Sequence, residues 1–185
     1  KYSEGKPYFM FVGSLHPRKN LARLFTSFDI FKKKNKNDIK LVIVGSKKWW
    51  TEPIRNAYES MTFKDDVIFV GRLSAEDLHL VTAAALASVY VSYFEGFGIP
   101  IVEAFKCDTP VITSNVTSMP EVASDAALLV NPFDVESIAE AMGKMLDENL
   151  RQELIEKGRK RRMDFSWDKA AEAWWKCIEK LTNEN

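Results

Sequence analysis

The segment Glu95-Gly96-Phe97-Gly98-Ile99-Pro100-Ile101-Val102-Glu103 brings together residue types that can hold an anion and a polyol side by side. Gly96 and Gly98 flank one aromatic, so the backbone can approach a ligand there without a Cβ in the way. Pro100 suits the first turn of a helix, where a missing N–H costs nothing. A helix start at this point presents amide N–H groups that lack an intrahelical acceptor, the usual arrangement for holding a phosphate. Glu95 precedes the turn and Glu103 lies about one turn into the helix. A carboxylate beside an anion site is a liability unless it serves another group, such as sugar or ribose hydroxyls. The combination points to a phosphorylated sugar as ligand.

A second constellation is Gly13-Ser14-Leu15-His16-Pro17-Arg18-Lys19-Asn20. Arg18 and Lys19 stand beside a helix expected to begin near Asn20, where cations are disfavoured unless an anion shares the place. Charge-assisted hydrogen bonds contribute about 1.5–3 kcal/mol each. The two cations could therefore stabilise a diphosphate, above all one acquiring charge as it leaves. Metal chemistry finds little support. Asp65-Asp66 is adjacent and precedes an apolar run, and His16 and His79 are isolated. No G-x-x-x-x-G-K-[ST] phosphate loop is present, nor a G-x-G-x-x-G after the first apolar run, which disfavours a triphosphate hydrolase or a nicotinamide dehydrogenase.

These residues need elements to position them. Tyr8–Val12, Leu41–Val44, Val67–Val70, Ala87–Ser92, Pro110–Thr113 and Ala127–Val130 are short apolar runs, several ending in glycine. Continuous apolar strands are buried on both faces, hence a parallel sheet covered by helices. Helical patterns fill the gaps: 20–34, with Leu21, Leu24, Phe25, Phe28 and Phe31 on one side, then segments after Ser74 and Pro100, then 134–146, 150–163 and 166–181. Ser74-x-x-Asp77 resembles a capping box, and Ser166 is a candidate N-cap. The alternation predicts an α/β, Rossmann-like doubly wound sheet of about six strands. In such a sheet, ligands bind outside the carboxyl ends of the strands. Gly13, Gly45, Gly71 and the Glu95 loop should therefore line one crevice.

The bulk properties agree with a single domain over residues 1–185. The chain is 46% hydrophobic and 28% charged, and its 26 basic residues match its 26 acidic ones, so no global field recruits nucleic acid or an acidic membrane. No apolar run approaches the roughly 20 residues of a membrane helix, and no signal-peptide pattern is seen. The first residue is Lys1, so a piece of a longer chain is expected. Cys107 and Cys177 read as buried free thiols in a cytosolic protein. The runs Lys32–Lys36 and Arg159–Arg162 read as solvated faces, the second also as a candidate for peripheral contact with the inner membrane face. Trp49-Trp50 could stack on a ligand, pack against a partner domain or pack in the core. Of Trp174-Trp175, at least one is expected in the core, and the other could cover an interface.

The set Phe11-Val12-Gly13, Pro17-Arg18-Lys19-Asn20, Val70-Gly71, Glu95-Gly96-Phe97-Gly98, Glu103-Ala104, Pro110-Val111-Ile112 and Pro120-Glu121-Val122 resembles the C-terminal half of a GT-B glycosyltransferase of the retaining group 1 family. The resemblance runs from about Tyr8 to Leu181. It implies a donor-binding domain whose partner, an N-terminal acceptor domain, is absent. The donor would be a nucleotide-diphosphate sugar, GDP- or UDP-linked, used without a metal or other cofactor. By position, Arg18 and Lys19 would bind the diphosphate and Glu103 the ribose. Glu95 would lie against the sugar, with Gly96 and the amides of Phe97, Gly98 and Ile99 near sugar and phosphate. Gly13 and Ser14 would border the phosphates, and the Gly71-Arg72-Leu73 backbone would meet the base. Many family members carry Arg directly after the first-strand glycine; Ser14 stands there, which shifts the phosphate role onto Arg18 and Lys19. The implied reaction is front-face transfer of a hexose, guessed as mannose, to a saccharide or lipid-linked acceptor. The fragment alone should be nearly inactive. A non-catalytic nucleotide-sugar-binding or scaffold module is the alternative.

Overall fold

Runs of Val, Ile and Phe too short for helices form six strands in the computed structural model, which describes residues 2–183. They are β1 (Tyr8–Val12), β2 (Lys40–Val44), β3 (Val67–Gly71), β4 (Ala87–Tyr90), β5 (Val111–Ser114) and β6 (Leu128–Val130). All pairings are parallel, in the order β3-β2-β1-β4-β5-β6. The chain winds outward from β1 to β3, returns to β4 beside β1, and winds outward again. This is the expected doubly wound sheet, and its switch point lies between β1 and β4.

Eight helices accompany the sheet among the described residues: α1 (Leu21–Asn35), α2 (Glu52–Glu59), α3 (Ala75–Ala83), α4 (Ile99–Lys106), α5 (Met119–Ala123), α6 (Val135–Lys144), α7 (Glu148–Arg161) and α8 (Trp167–Asn183). Four of their starts, those of α3, α6, α7 and α8, are set by side chains that accept free amides. Ser74 Oγ accepts from the Asp77 N–H, Asp134 from Glu136, Asp147 from Asn149, and Ser166 from Lys169. The Asp147 cap explains why α7 begins two residues before the expected Leu150. α2 and α5 had no clear periodic signature, being eight and five residues long.

One face of the sheet buries Phe9, Phe11, Leu41 and Ile43 against Leu24, Phe25 and Phe28 of α1 and Ile138 and Met142 of α6. The other buries Met10, Val42 and Val44 near α3, and Tyr90 and Val111 with Ile101 and Phe105 of α4. Trp50 belongs to the first core, edge-on to Phe25, Tyr58 and Phe69. Trp49 is exposed and meets only the His16 ring among the described aromatics.

Several surface expectations are overturned. Lys32 is buried: it pairs with Asp66 at 2.7 Å and donates to the Asn37 and Ile39 carbonyls, tying the end of α1 to the approach of β3. Arg161 donates to the carbonyls of Glu121 and Val122, and Arg162 to those of Phe105 and Lys106. These guanidiniums satisfy carbonyls at helix ends instead of facing solvent alone. Cys107 is half-buried and Cys177 exposed, both free thiols. Trp174 and Trp175 are 73% and 61% exposed, so neither is core. The reason is the course of α8, where residues 166–182 are all exposed along its length. No helix among the described residues is long and apolar enough to cross a membrane.

The strand ends approach so closely that one glycine is obligatory. Gly45 has φ 147°, and a Cβ there would lie 1.8 Å from the Gly13 carbonyl oxygen. Gly71 also has positive φ (71°), but its added Cβ would meet nothing within 4 Å. Gly45→Ala should therefore cost more than Gly71→Ala: at least about 3 kcal/mol against about 1–2 kcal/mol in urea unfolding. Equal losses would show that the Gly13–Gly45 approach imposes no constraint.

Candidate functional site

The switch point brings two loops together, β1–α1 and β4–α4. The first turns through a short 3-10 segment, Pro17–Lys19, and ends at Asn20, which adopts the left-handed conformation (φ 63°). The buried Asn20 amide then donates to the Val91 carbonyl (3.0 Å) and the Pro132 carbonyl (2.7 Å). Tyr93 N–H donates to the Arg18 carbonyl at 2.8 Å. These bonds explain why β4 ends at Tyr90, short of the expected Ser92: the chain beyond it bonds across the switch point. Asn20 Oδ1 is left buried with no hydrogen-bond partner among the described residues.

Lys19 is the centre of this junction. Only 7% exposed, it extends its ammonium to Glu95 Oε1 at 2.7 Å and to the Tyr90 hydroxyl at 2.6 Å. Glu95 is equally buried, and Arg18 Nη2 lies 3.8 Å from its other oxygen. Burial pushes the Glu95 carboxyl upward, but the Lys19 ammonium, with the neighbouring Ser92 and Tyr90 hydroxyls, outweighs it and holds the group below the ordinary carboxylate range. Burial, then the Glu95 charge, pushes Tyr90 well above the usual phenol value. The site therefore holds two cations on one carboxylate, with Arg18 reaching into solvent. That excess of positive charge fits an anionic ligand.

The glycine turn after Glu95 is held from the next crossover. Ser118 Oγ donates to the Glu95 and Phe97 carbonyls, both at 2.9 Å, and Thr117 Oγ1 accepts from the Glu95 N–H. Gly98 takes φ 102° at the start of α4, a conformation that a side chain would strain. Gly13 and Ser14 continue from β1 on the neighbouring loop, with Ser14 exposed.

The expected residues do not all meet. Arg18, Lys19 and Glu95 converge at the switch point. Glu103, exposed on α4, instead lines a cavity of about 620 Å³ with Phe97, Ile99, Phe165 and Trp167. Gly71 and Arg72 line another of about 440 Å³ with Gly45, Ser46, Lys47 and Phe69. Leu73 packs on the core near α3. Tyr90, Thr117 and Ser118 were missed by sequence reasoning: a tyrosine inside an apolar run and hydroxyls in an unmarked loop give no spacing to read.

A doubly wound sheet with cations and a glycine turn at its switch point defines a ligand-binding domain of the α/β class. The chain belongs to the family described as glycosyl transferases group 1, which matches residues 1–161. The O-antigen chain mannosyltransferase B of Escherichia coli is 34% identical over 162 residues, covering 87% of this chain and 42% of that protein. The O-antigen chain mannosyltransferase RfbU of Salmonella typhimurium is 36% identical over 134 residues, covering 72% of this chain and 37% of that protein. The sucrose-phosphate synthase of Thermosynechococcus elongatus superimposes with a TM-score of 0.83 at 26% identity, over 98% of this chain and 47% of that one. The fold is thus that of one half of a GT-B glycosyltransferase. The chain spans less than half the length of these relatives.

Because Glu95 lies below its ordinary value when folded, its pairing adds stability that is complete above about pH 4.5 and fades as the pH falls through the lower folded value. Glu95→Gln should flatten this acid limb in thermal unfolding followed against pH. At neutral pH it should cost about 1–3 kcal/mol, because Lys19 is left buried without its counter-charge. An unchanged acid limb would show that the pair does not govern acid stability.

Proposed function

We propose that the chain is the donor-binding half of a retaining, metal-independent glycosyltransferase. It would hold a nucleoside diphosphate sugar while an N-terminal half presents a saccharide or lipid-linked acceptor. The observation that carries this reading is the buried Lys19 between Tyr90 and Glu95, with Arg18 beside it, at the switch point of the sheet. A diphosphate arriving there competes with Glu95 for both cations. As they turn to the phosphates, the carboxylate regains lone pairs for sugar hydroxyls. Arg18, Lys19 and the amides of Phe97, Gly98 and Ile99 would then stabilise charge on the departing diphosphate without a metal ion. Glu103 lies outside the switch-point cluster, but the cavity it lines is also lined by Phe97 and Ile99 of the glycine turn, and from there it would accept from the ribose.

Mannose is the proposed sugar, on the strength of the relatives named above. Cytoplasmic work on polysaccharide precursors fits the same relatives. Contact with the membrane surface through Arg159–Arg162 gains little support, since Arg159 and Arg162 pair with Asp108 and Arg161 with Asp164.

Calorimetric titration with GDP, UDP and ADP, without added metal, tests the site. At least one should bind between roughly micromolar and millimolar, and Lys19→Ala and Glu103→Ala should each weaken it about tenfold, or about 1.4 kcal/mol. Variants that bind like the unmodified chain would overturn the assignment. For the full-length enzyme, the anomeric configuration of the product, read by NMR, decides between retention and inversion.

A further inference from the structure

The cavity over the ends of β2 and β3 contains a cation that the switch-point site does not use. Lys47 Nζ lies 3.9 Å from the centroid of the Phe69 ring and 5.1 Å from that of Trp50. The two rings hold the ammonium by cation–π attraction. Among the described residues Lys47 forms no salt bridge, and Arg72 on the same cavity forms none either. Two cations without a carboxylate therefore border a space of about 440 Å³, ample for a heterocyclic base.

The segments that line the cavity are hydrogen-bonded to the phosphate-side loop. Gly13 N–H donates to the Val44 carbonyl at 3.0 Å, Leu15 N–H to Ser46 at 3.5 Å, and Gly45 N–H to Gly71 at 2.8 Å. Neighbouring strands are about 4.8 Å apart, so the end of β3 lies about 10 Å from the end of β1. The Lys19 ammonium rests on Tyr90 of β4, one strand further and so about 14 Å from the end of β3, a span within reach of an extended nucleoside diphosphate.

The Gly71-Arg72-Leu73 backbone is already expected to meet the base here, and we infer that Lys47 selects bases presenting a carbonyl oxygen over those presenting an amine at the same position. The inference rests on the donor-binding reading above. An ammonium has three donors and no acceptor. It complements the O6 and N7 of guanine or hypoxanthine, and the O4 of uracil. Against the exocyclic amine of adenine or cytosine it sets donor against donor, so the favourable contact is lost.

Two matched pairs isolate that single group: IDP with ADP, and UDP with CDP. Titration of the full chain should show the oxo member of each pair binding roughly tenfold more tightly. Lys47→Met, which keeps an unbranched stem over the rings, should bring the oxo members down to their amino counterparts, and Lys47→Arg should preserve the preference. Comparing GDP with UDP then identifies which carbonyl base the cavity holds. A wild-type chain that binds both members of each pair equally, or a preference that survives Lys47→Met, overturns the inference while leaving the donor site intact. Failure of every diphosphate to bind would remove the donor reading and this inference with it.

Discussion

The structure turns on one buried ion pair. Lys19 carries its charge into a place almost without solvent, which is affordable only because Glu95 and the Tyr90 hydroxyl meet it at hydrogen-bond distance. Taking two charges out of water costs several kcal/mol per ion, and their attraction recovers this only when geometry is good. The pair thus adds only modest net stability but is strict as a specifier: it fixes the β1–α1 loop against the β4–α4 loop. Its third member, Arg18, leaves the cluster with a net positive charge and a route to solvent.

Everything around the pair serves that junction. Asn20 pins the start of α1 to the ends of β4 and β6, and Ser118, just before α5, closes the glycine turn. Neither contact is apolar, yet both stand on a sheet whose two faces are filled by aromatic and branched side chains. The rigid sheet allows a loop pair to hold its atoms in place. The doubly wound order supplies the gap between the loops.

Much of this was legible in the amino-acid sequence. Apolar runs ending in Gly13, Gly45 and Gly71 marked the strand ends, and topology alone brought those ends to one edge. The same rule brought Lys19 near Glu95. It did not reveal that the two would bond directly, because spacing in the sequence says nothing about side chains that meet 76 positions apart. Tyr90 was hidden among the apolar residues of its strand. Lys32 looked solvated because a run of lysines at a helix end ordinarily is, and the Asp66 that buries it lies beyond another helix. For Trp174 and Trp175, periodicity shows that a helix has an apolar side and is silent on whether anything faces it.

That last helix has a consequence for handling the molecule. α8 displays Trp167, Trp174, Trp175, Ile178 and Leu181 to solvent, on a chain whose formal net charge is zero at neutral pH. Proteins without net charge repel one another weakly, and exposed indoles then act as adhesive. The isolated chain should be least soluble close to neutrality. Buffers a unit or two away, where all molecules carry the same sign, should keep it dispersed.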